Sequence, residues 1–160
     1  MTGKSEHFEV ESSDLRFENL LSDAPEEVAD ELHMKQVVIL PSHGTNNAFY
    51  VGSLDTLDYL NGNGIKADIY SNDDDYRELG LHSADIWLGT LFVTNIVVPI
   101  FCNLIAGYLW DRLKAKEGDN LSVKFIVEKK SGDTVSISFD GKAEEFDKVL
   151  EAVKSFSDED

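Results

Sequence analysis

The chain has 160 residues, and its 31 acidic residues outweigh its 14 basic ones, which gives a formal net charge of -17. So large an acidic excess repels phosphate backbones and anionic lipid, so direct binding to nucleic acid is disfavoured. A chain of this length can bury a core as a single domain without disulfides or metals.

The cysteine content and the first residues indicate a compartment. Cys102 is the only cysteine, which excludes an internal disulfide, and it lies in the most apolar stretch, where a free thiol behaves as a small buried hydrophobe. The opening sequence has no apolar signal region. Both observations predict a cytoplasmic protein.

Residues 1–35 are predicted to form an N-terminal lead-in. Apolar and charged residues alternate at 8–10 and at 15–17, which predicts short edge strands. The segment 23–26 then resembles a helix start, with an acidic cap and a proline close to the first turn. The helix is expected to continue to about Met34.

Residues 36–160 are predicted to form a single α/β domain that begins with a βαβ unit. A continuous apolar run at 36–41 is typical of a buried strand in a parallel sheet. Ser53 is placed to cap a helix carrying leucines at 54, 57 and 60, and residues 65–70 alternate as a second strand. Strand, loop, helix and strand in this order predict a βαβ crossover.

The central segment lacks any charged residue between Ile86 and Trp110. It predicts a long apolar helix over 84–116, kinked or split at Pro99. Two interpretations remain open. The helix is either a core wall shared by the flanking units, or a single-pass membrane span over 86–110 with aromatic residues at both ends.

A stripe of small or polar residues recurs every fourth position of this predicted helix: Asn95, Pro99, Asn103 and Gly107. Such a stripe can contact a second helix, so it predicts self-association and a homo-oligomer.

The C-terminal part predicts a ββα unit over 121–157. Apolar residues alternate in 121–128 and again in 135–139, with a glycine-containing turn between them. Phe146, Val149, Leu150 and Val153 then follow helical spacing. The predicted fold class is therefore α/β or α+β, with an N-terminal βαβ unit, the central apolar helix and this ββα end.

The best candidate ligand site lies in two polar loops that follow the first two core strands. Ligands of parallel α/β units bind beyond the carboxyl ends of the strands. Amide and carboxylate oxygens there suit a polar small molecule or a divalent cation, although the same residues are also common in ordinary turns. The predicted ligand-binding residues are His43, Asn46, Asn47, Asn72, Asp73, Asp74 and Asp75.

No catalytic, metal-binding or cofactor motif stands out in the sequence, so no cofactor is predicted. The leading hypothesis is a non-enzymatic, acidic partner-binding or regulatory protein, such as an inhibitor, an immunity-type protein or a complex subunit, with a basic protein as its partner. The alternatives are a ligand or nucleotide-type sensor or enzyme that uses the two loops, and a single-pass membrane protein.

Overall fold

The computed structural model describes residues 7–41, 48–50, 52–71, 77–79 and 86–159. Within these ranges the chain forms eight strands and five helices. The strands are β1 (His7–Ser13), β2 (Val37–Leu40), β3 (Ala48–Tyr50), β4 (Ala67–Ile69), β5 (Arg77–Leu79), β6 (Ile86–Val93), β7 (Asn120–Glu128) and β8 (Thr134–Lys142). The helices are α1 (Phe17–Asp23), α2 (Glu26–Leu32), α3 (Ser53–Gly62), α4 (Val98–Gly107) and α5 (Phe146–Ser157).

The main sheet of the described chain has six strands in the order β1-β8-β7-β6-β2-β4. β6 pairs in parallel with β7 and antiparallel with β2, while β1, β8 and β7 pair antiparallel. β3 and β5 form a separate two-stranded parallel sheet, and β3 contacts β6.

The mixed α/β fold class is confirmed, together with both predicted supersecondary units. β2, α3 and β4 form the βαβ unit, because β2 and β4 are parallel neighbours. β7, β8 and α5 form the ββα unit, and α5 packs on both strands. In the predicted lead-in, residues 8–10 lie in the edge strand β1, whereas Phe17 begins α1 rather than ending a second strand.

The central apolar helix is present, but it is shorter than predicted. It covers a 3₁₀ turn (Asn95–Val97), α4 and a π-helical turn (Tyr108–Arg112). The prediction that the helix already runs through Ile86–Val93 is wrong, because these residues form β6 in the middle of the sheet. A strand buried on both faces is continuously apolar, so its periodicity cannot be distinguished from that of a buried helix.

Pro99 does not kink a longer helix. It lies in the first turn of α4, where the missing N–H has no intrahelical partner to lose. Among the described residues, no helix combines the length and the apolar character required to cross a bilayer. The single helix over 86–110 on which the membrane-span alternative depended is not formed.

The two faces of the sheet are covered unequally. On one face, α3, α4 and α5 bury a large apolar cluster that includes Leu91, Phe125 and Ile137. On the other face, α1 and α2 cover a smaller cluster with Phe92 and Ile126 at its centre. Both helices have only seven residues, and among the described residues part of this second face has no helix over it. The part of this second face that α1 and α2 leave uncovered is called the open face below.

Candidate functional site

The strand register brings polar side chains together on the open face. His7 pairs with Asp140, which pairs with Ser122. One row further along, Glu9 pairs with Ser138 and Ser138 with Lys124. Because alternate residues of a strand share a face, these two rows extend the face that carries Phe92 and Ile126. A continuous polar surface therefore crosses β1, β8, β7 and β6.

This surface is a groove with a volume of about 700 Å³. Neighbouring strands lie about 4.8 Å apart, so the groove is about 14 Å wide from β1 to β6. Its size falls within the range of small-molecule sites, about 300–1,000 Å³. Hydroxyl side chains make up much of the floor, namely Thr90, Ser122, Ser136 and Ser138.

Lys124 is the central cation of the groove. It is half-buried, and the register places it between Thr90 of β6 and Ser138 of β8. Its positive charge is a minor influence that acts to lower the pKa of Glu9 and opposes the rise in the pKa of Glu11, so the ammonium group lies within electrostatic reach of β1. The backbone of Lys124 is paired within the sheet, but inside the described chain its ammonium group has neither a hydrogen bond nor an ion pair. A ligand with a hydrogen-bond acceptor would supply the missing partner.

The β1 side of the groove is an acidic wall made of Glu9 and Glu11, with His7 beside them. The Nε2 atom of His7 lies 2.9 Å from Oε2 of Glu9. A hydrogen bond with Glu9, and then the negative charge of Glu9, raise the pKa of Glu11. The same hydrogen bond, followed by the one with His7, lowers the pKa of Glu9. As the pH falls, Glu11 therefore takes up a proton before Glu9.

We expect Glu9→Gln to bring the pKa of Glu11 down towards its ordinary value, because the substitution weakens the hydrogen bond with position 9 by replacing the carboxylate acceptor with an amide, and removes the negative charge there. A ¹³C NMR titration of the Glu11 carboxyl carbon measures this change. Glu144→Gln, which changes an exposed acid after β8, serves as the matched control and should leave Glu11 unaffected. An unchanged Glu11 titration in Glu9→Gln would show that the two carboxyl groups are not in contact.

The opposite end of the groove is aromatic. The rings of Tyr50 and Trp87 lie 5.1 Å apart with an interplanar angle of 37°. Trp87 pairs with Ser122 and Gly89 with Val123, so Leu88 is an extra residue that forms a bulge in β6. Gly89 has φ +82°, and a Cβ at this position would lie 3.1 Å from Cδ2 of Tyr50. The bulge and the glycine together allow Tyr50 to pack closely against β6.

The indole N–H of Trp87 is buried and has no hydrogen-bond partner among the described residues. A buried donor without a partner costs about 1–3 kcal/mol.

β1 is also a free edge of the sheet. In the described chain it pairs with β8 alone, so one side of its backbone has no strand partner. Phe8 and Val10 lie on the sheet face that α3, α4 and α5 cover, but their side chains remain 44% and 37% exposed. Phe8 contacts Phe139 at a ring distance of 6.1 Å. The β1 edge, defined as His7–Ser13, thus presents apolar side chains on one face and acidic side chains on the other.

The seven predicted ligand-binding residues lie outside the described ranges, namely His43, Asn46, Asn47, Asn72, Asp73, Asp74 and Asp75. Their role remains a prediction. Of the described residues near the first loop, one lines the groove and one pairs with a groove residue. Leu40 pairs with Thr90 of the groove floor, and Tyr50 lines the groove itself.

The predicted association stripe does not form one uniform surface. Pro99 and Asn103 are exposed, but Asn95 is half-buried and its Nδ2 donates hydrogen bonds to the backbone oxygens of Glu128 and Ser157, at 3.1 and 2.6 Å. At Gly107, a Cβ would lie 3.2 Å from the hydroxyl oxygen of Tyr59. Half of the stripe therefore contacts the protein itself, and self-association through it stays a prediction. Beside Pro99, Ile96 and Ile100 are 81% and 56% exposed.

Two other groups of polar or reactive side chains have structural roles. The Asp55 carboxylate accepts hydrogen bonds from the Tyr108 hydroxyl, at 2.8 Å, and from Arg112, at 2.6 Å, which ties α3 to the central helix. Cys102 is 1% exposed, and burial raises its pKa to about 11, as expected for a thiol that packs as an apolar side chain.

Within the described ranges, no cluster of three or more histidine, cysteine or carboxylate side chains is suited to hold a metal ion.

The groove residues were missed by sequence reasoning, which followed only the apolar positions of each alternating strand. The polar positions of β7 and β8 carry a regular pattern of their own, with Ser122 and Lys124 on one strand and Ser136 and Ser138 on the other. The alternation of Glu9 and Glu11 with apolar residues in β1 was a second available signal.

Comparison with known protein families, with curated proteins and with solved structures finds no match to this chain.

Proposed function

We propose that this chain is a non-enzymatic partner-binding protein, and that its partner adds an extended basic segment to the β1 edge. The observation that carries the proposal is a strand edge without a partner strand in the described chain, with half-exposed Phe8 and Val10 on one face and Glu9 and Glu11 on the other. Strand addition obtains affinity from backbone hydrogen bonds and specificity from alternate side chains.

The chemistry of the edge specifies the partner. An added strand places alternate side chains opposite Glu9 and Glu11, where opposite charges stabilise cross-strand pairs by about 0.2–1 kcal/mol each. Its remaining side chains lie beside Phe8 and Val10, where apolar groups bury exposed surface. The fitting segment therefore alternates basic and apolar residues. The net charge of -17 adds long-range attraction for such a segment.

The same charges disfavour a second copy of this chain at the edge. Pairing of β1 with β1 of another copy places the acidic wall of one strand beside that of the other. Like charges directly opposite each other destabilise a strand pair. The charges of the β1 edge thus favour pairing with a basic segment and disfavour pairing with the β1 strand of a second copy. Natural edge strands use charged side chains against aggregation in the same way.

A designed peptide tests the proposal. We expect a seven-residue peptide of alternating lysine and valine, which matches the seven residues of β1, to bind at least about tenfold more tightly than a peptide of the same composition with all lysines at one end. Calorimetry measures both affinities, and hydrogen exchange should show new protection of β1 backbone amides. Equal affinities for the two peptides would indicate simple charge attraction and would contradict strand addition.

Charge variants locate the contact. Glu9→Gln with Glu11→Gln should weaken binding of the alternating peptide by about 2- to 30-fold, since two cross-strand charge pairs are lost. Asp147→Asn with Glu151→Gln changes the net charge by the same amount on the exposed face of α5 and should have much less effect. If both double variants weaken binding equally, the peptide is not held at β1.

A further inference from the structure

The groove on the open face has a charge order that the partner-binding proposal does not explain. The acidic wall lies on β1, and Asp140 lies beside it on β8. Lys124 occupies the centre on β7, and Tyr50 and Trp87 lie at the β6 end. We propose that the groove binds a zwitterionic, amino-acid-type ligand with an apolar side chain, with its carboxylate at Lys124, its ammonium at the acidic wall and its side chain at the aromatic end.

The charges of the groove exclude the simpler ligands. A ligand that carries only negative charge would pair with Lys124 but would be repelled by Glu9, Glu11 and Asp140, which also line the groove. A ligand that carries only positive charge would leave Lys124 unpaired and lie close to it. Groups that lose water in a half-closed site need a partner of opposite charge. A zwitterion provides both partners at once.

The remaining lining suits the rest of such a ligand. Aromatic side chains bury large apolar area and can contact a ring or an aliphatic chain. The rings of Tyr50 and Trp87, which both line the groove, provide that apolar contact. Ser122 and Ser138 flank Lys124 and Asp140 in the register, and their hydroxyl groups can both donate and accept hydrogen bonds. The volume of about 700 Å³ accommodates a free amino acid or a short peptide.

Fluorescence of Trp87 provides a direct test with L-phenylalanine as the probe. The chain has two tryptophans, and Trp110 packs against the main core away from the groove, so Trp110→Phe leaves Trp87 as the reporter. We expect L-phenylalanine to change the Trp87 emission in a saturable way. No saturable change up to about 10 mM would overturn the proposal.

Two analogues test the requirement for both charges in the same protein, without any change to the groove. 3-Phenylpropionate lacks the ammonium group, and 2-phenylethylamine lacks the carboxylate. Each should bind at least about tenfold more weakly than L-phenylalanine. Equal affinity of either analogue would show that the groove does not recognise a zwitterion.

The Lys124→Met substitution keeps the length of the side chain and removes its charge. We expect it to weaken L-phenylalanine binding by about tenfold or more, while Lys154→Met, an exposed lysine on α5, leaves the affinity unchanged. Unchanged affinity in a folded Lys124→Met protein would contradict the assignment of the carboxylate. The inference shares Glu9 and Glu11 with the β1 edge, but it is tested with L-phenylalanine, its analogues and Lys124→Met, none of which enters the peptide experiment, so the two proposals can fail separately.

Discussion

Phe125→Ala is expected to lower the free energy of unfolding by about 3–5 kcal/mol, because it removes a fully buried ring from the centre of the fold. Phe125 lies on β7, between two rings of the helical layer. Its ring centroid is 5.6 Å from that of Phe101 on α4 and 6.3 Å from that of Phe146 on α5. The substitution therefore leaves a cavity where strand and both helices meet, and the surrounding rings cannot fill it without leaving their own contacts.

Chemical denaturation measures the loss, and thermal melting should show a lower Tm by about 6–20 °C for a chain of this size. Phe8→Ala is the matched control, because Phe8 is 44% exposed and its loss should cost about 1 kcal/mol or less. A cost below about 1 kcal/mol for Phe125→Ala would mean that the helices α4 and α5 do not pack on β7 as described.

Leu32→Ala is expected to cost about 2–5 kcal/mol, although it lies in the smaller cluster on the other side of the sheet. Leu32 on α2 is fully buried with Val38, Phe92 and Ile126 beneath it. Helices as short as α1 and α2 have little stability of their own, so they depend on this contact. Their loss would extend the open face over the apolar part of the sheet.

Denaturation again measures the cost, and binding of a hydrophobic dye reports newly exposed sheet surface. Leu54→Ala, on the 46% exposed side chain at the start of α3, should change stability by about 0.5 kcal/mol or less. If the two leucine variants have similar stability, α2 does not contribute to the core.

The candidate site could be predicted only in part. The sequence directed attention to loops whose residues lie outside the described ranges, whereas the groove is built on strands. Each groove residue by itself is an ordinary polar position of an alternating strand. His7 and Asp140 become neighbours only because β1 pairs with β8 from the other end of the chain. Pairing over such a distance leaves no local pattern in the sequence.

The local patterns of the sequence by themselves determined the βαβ unit of β2, α3 and β4 and the ββα unit at the C-terminus. Hydrophobic periodicity and turn residues act over a few positions, and these elements have one apolar face each. Only the tertiary structure decided that Ile86–Val93 is a strand and that, within the described chain, helices cover only part of one sheet face. The physical reason for the first is that β6 is buried on both faces, so its sequence lacks the alternation of apolar and polar residues that is typical of a strand. The reason for the second is that the short helices α1 and α2 end before they span the whole sheet face.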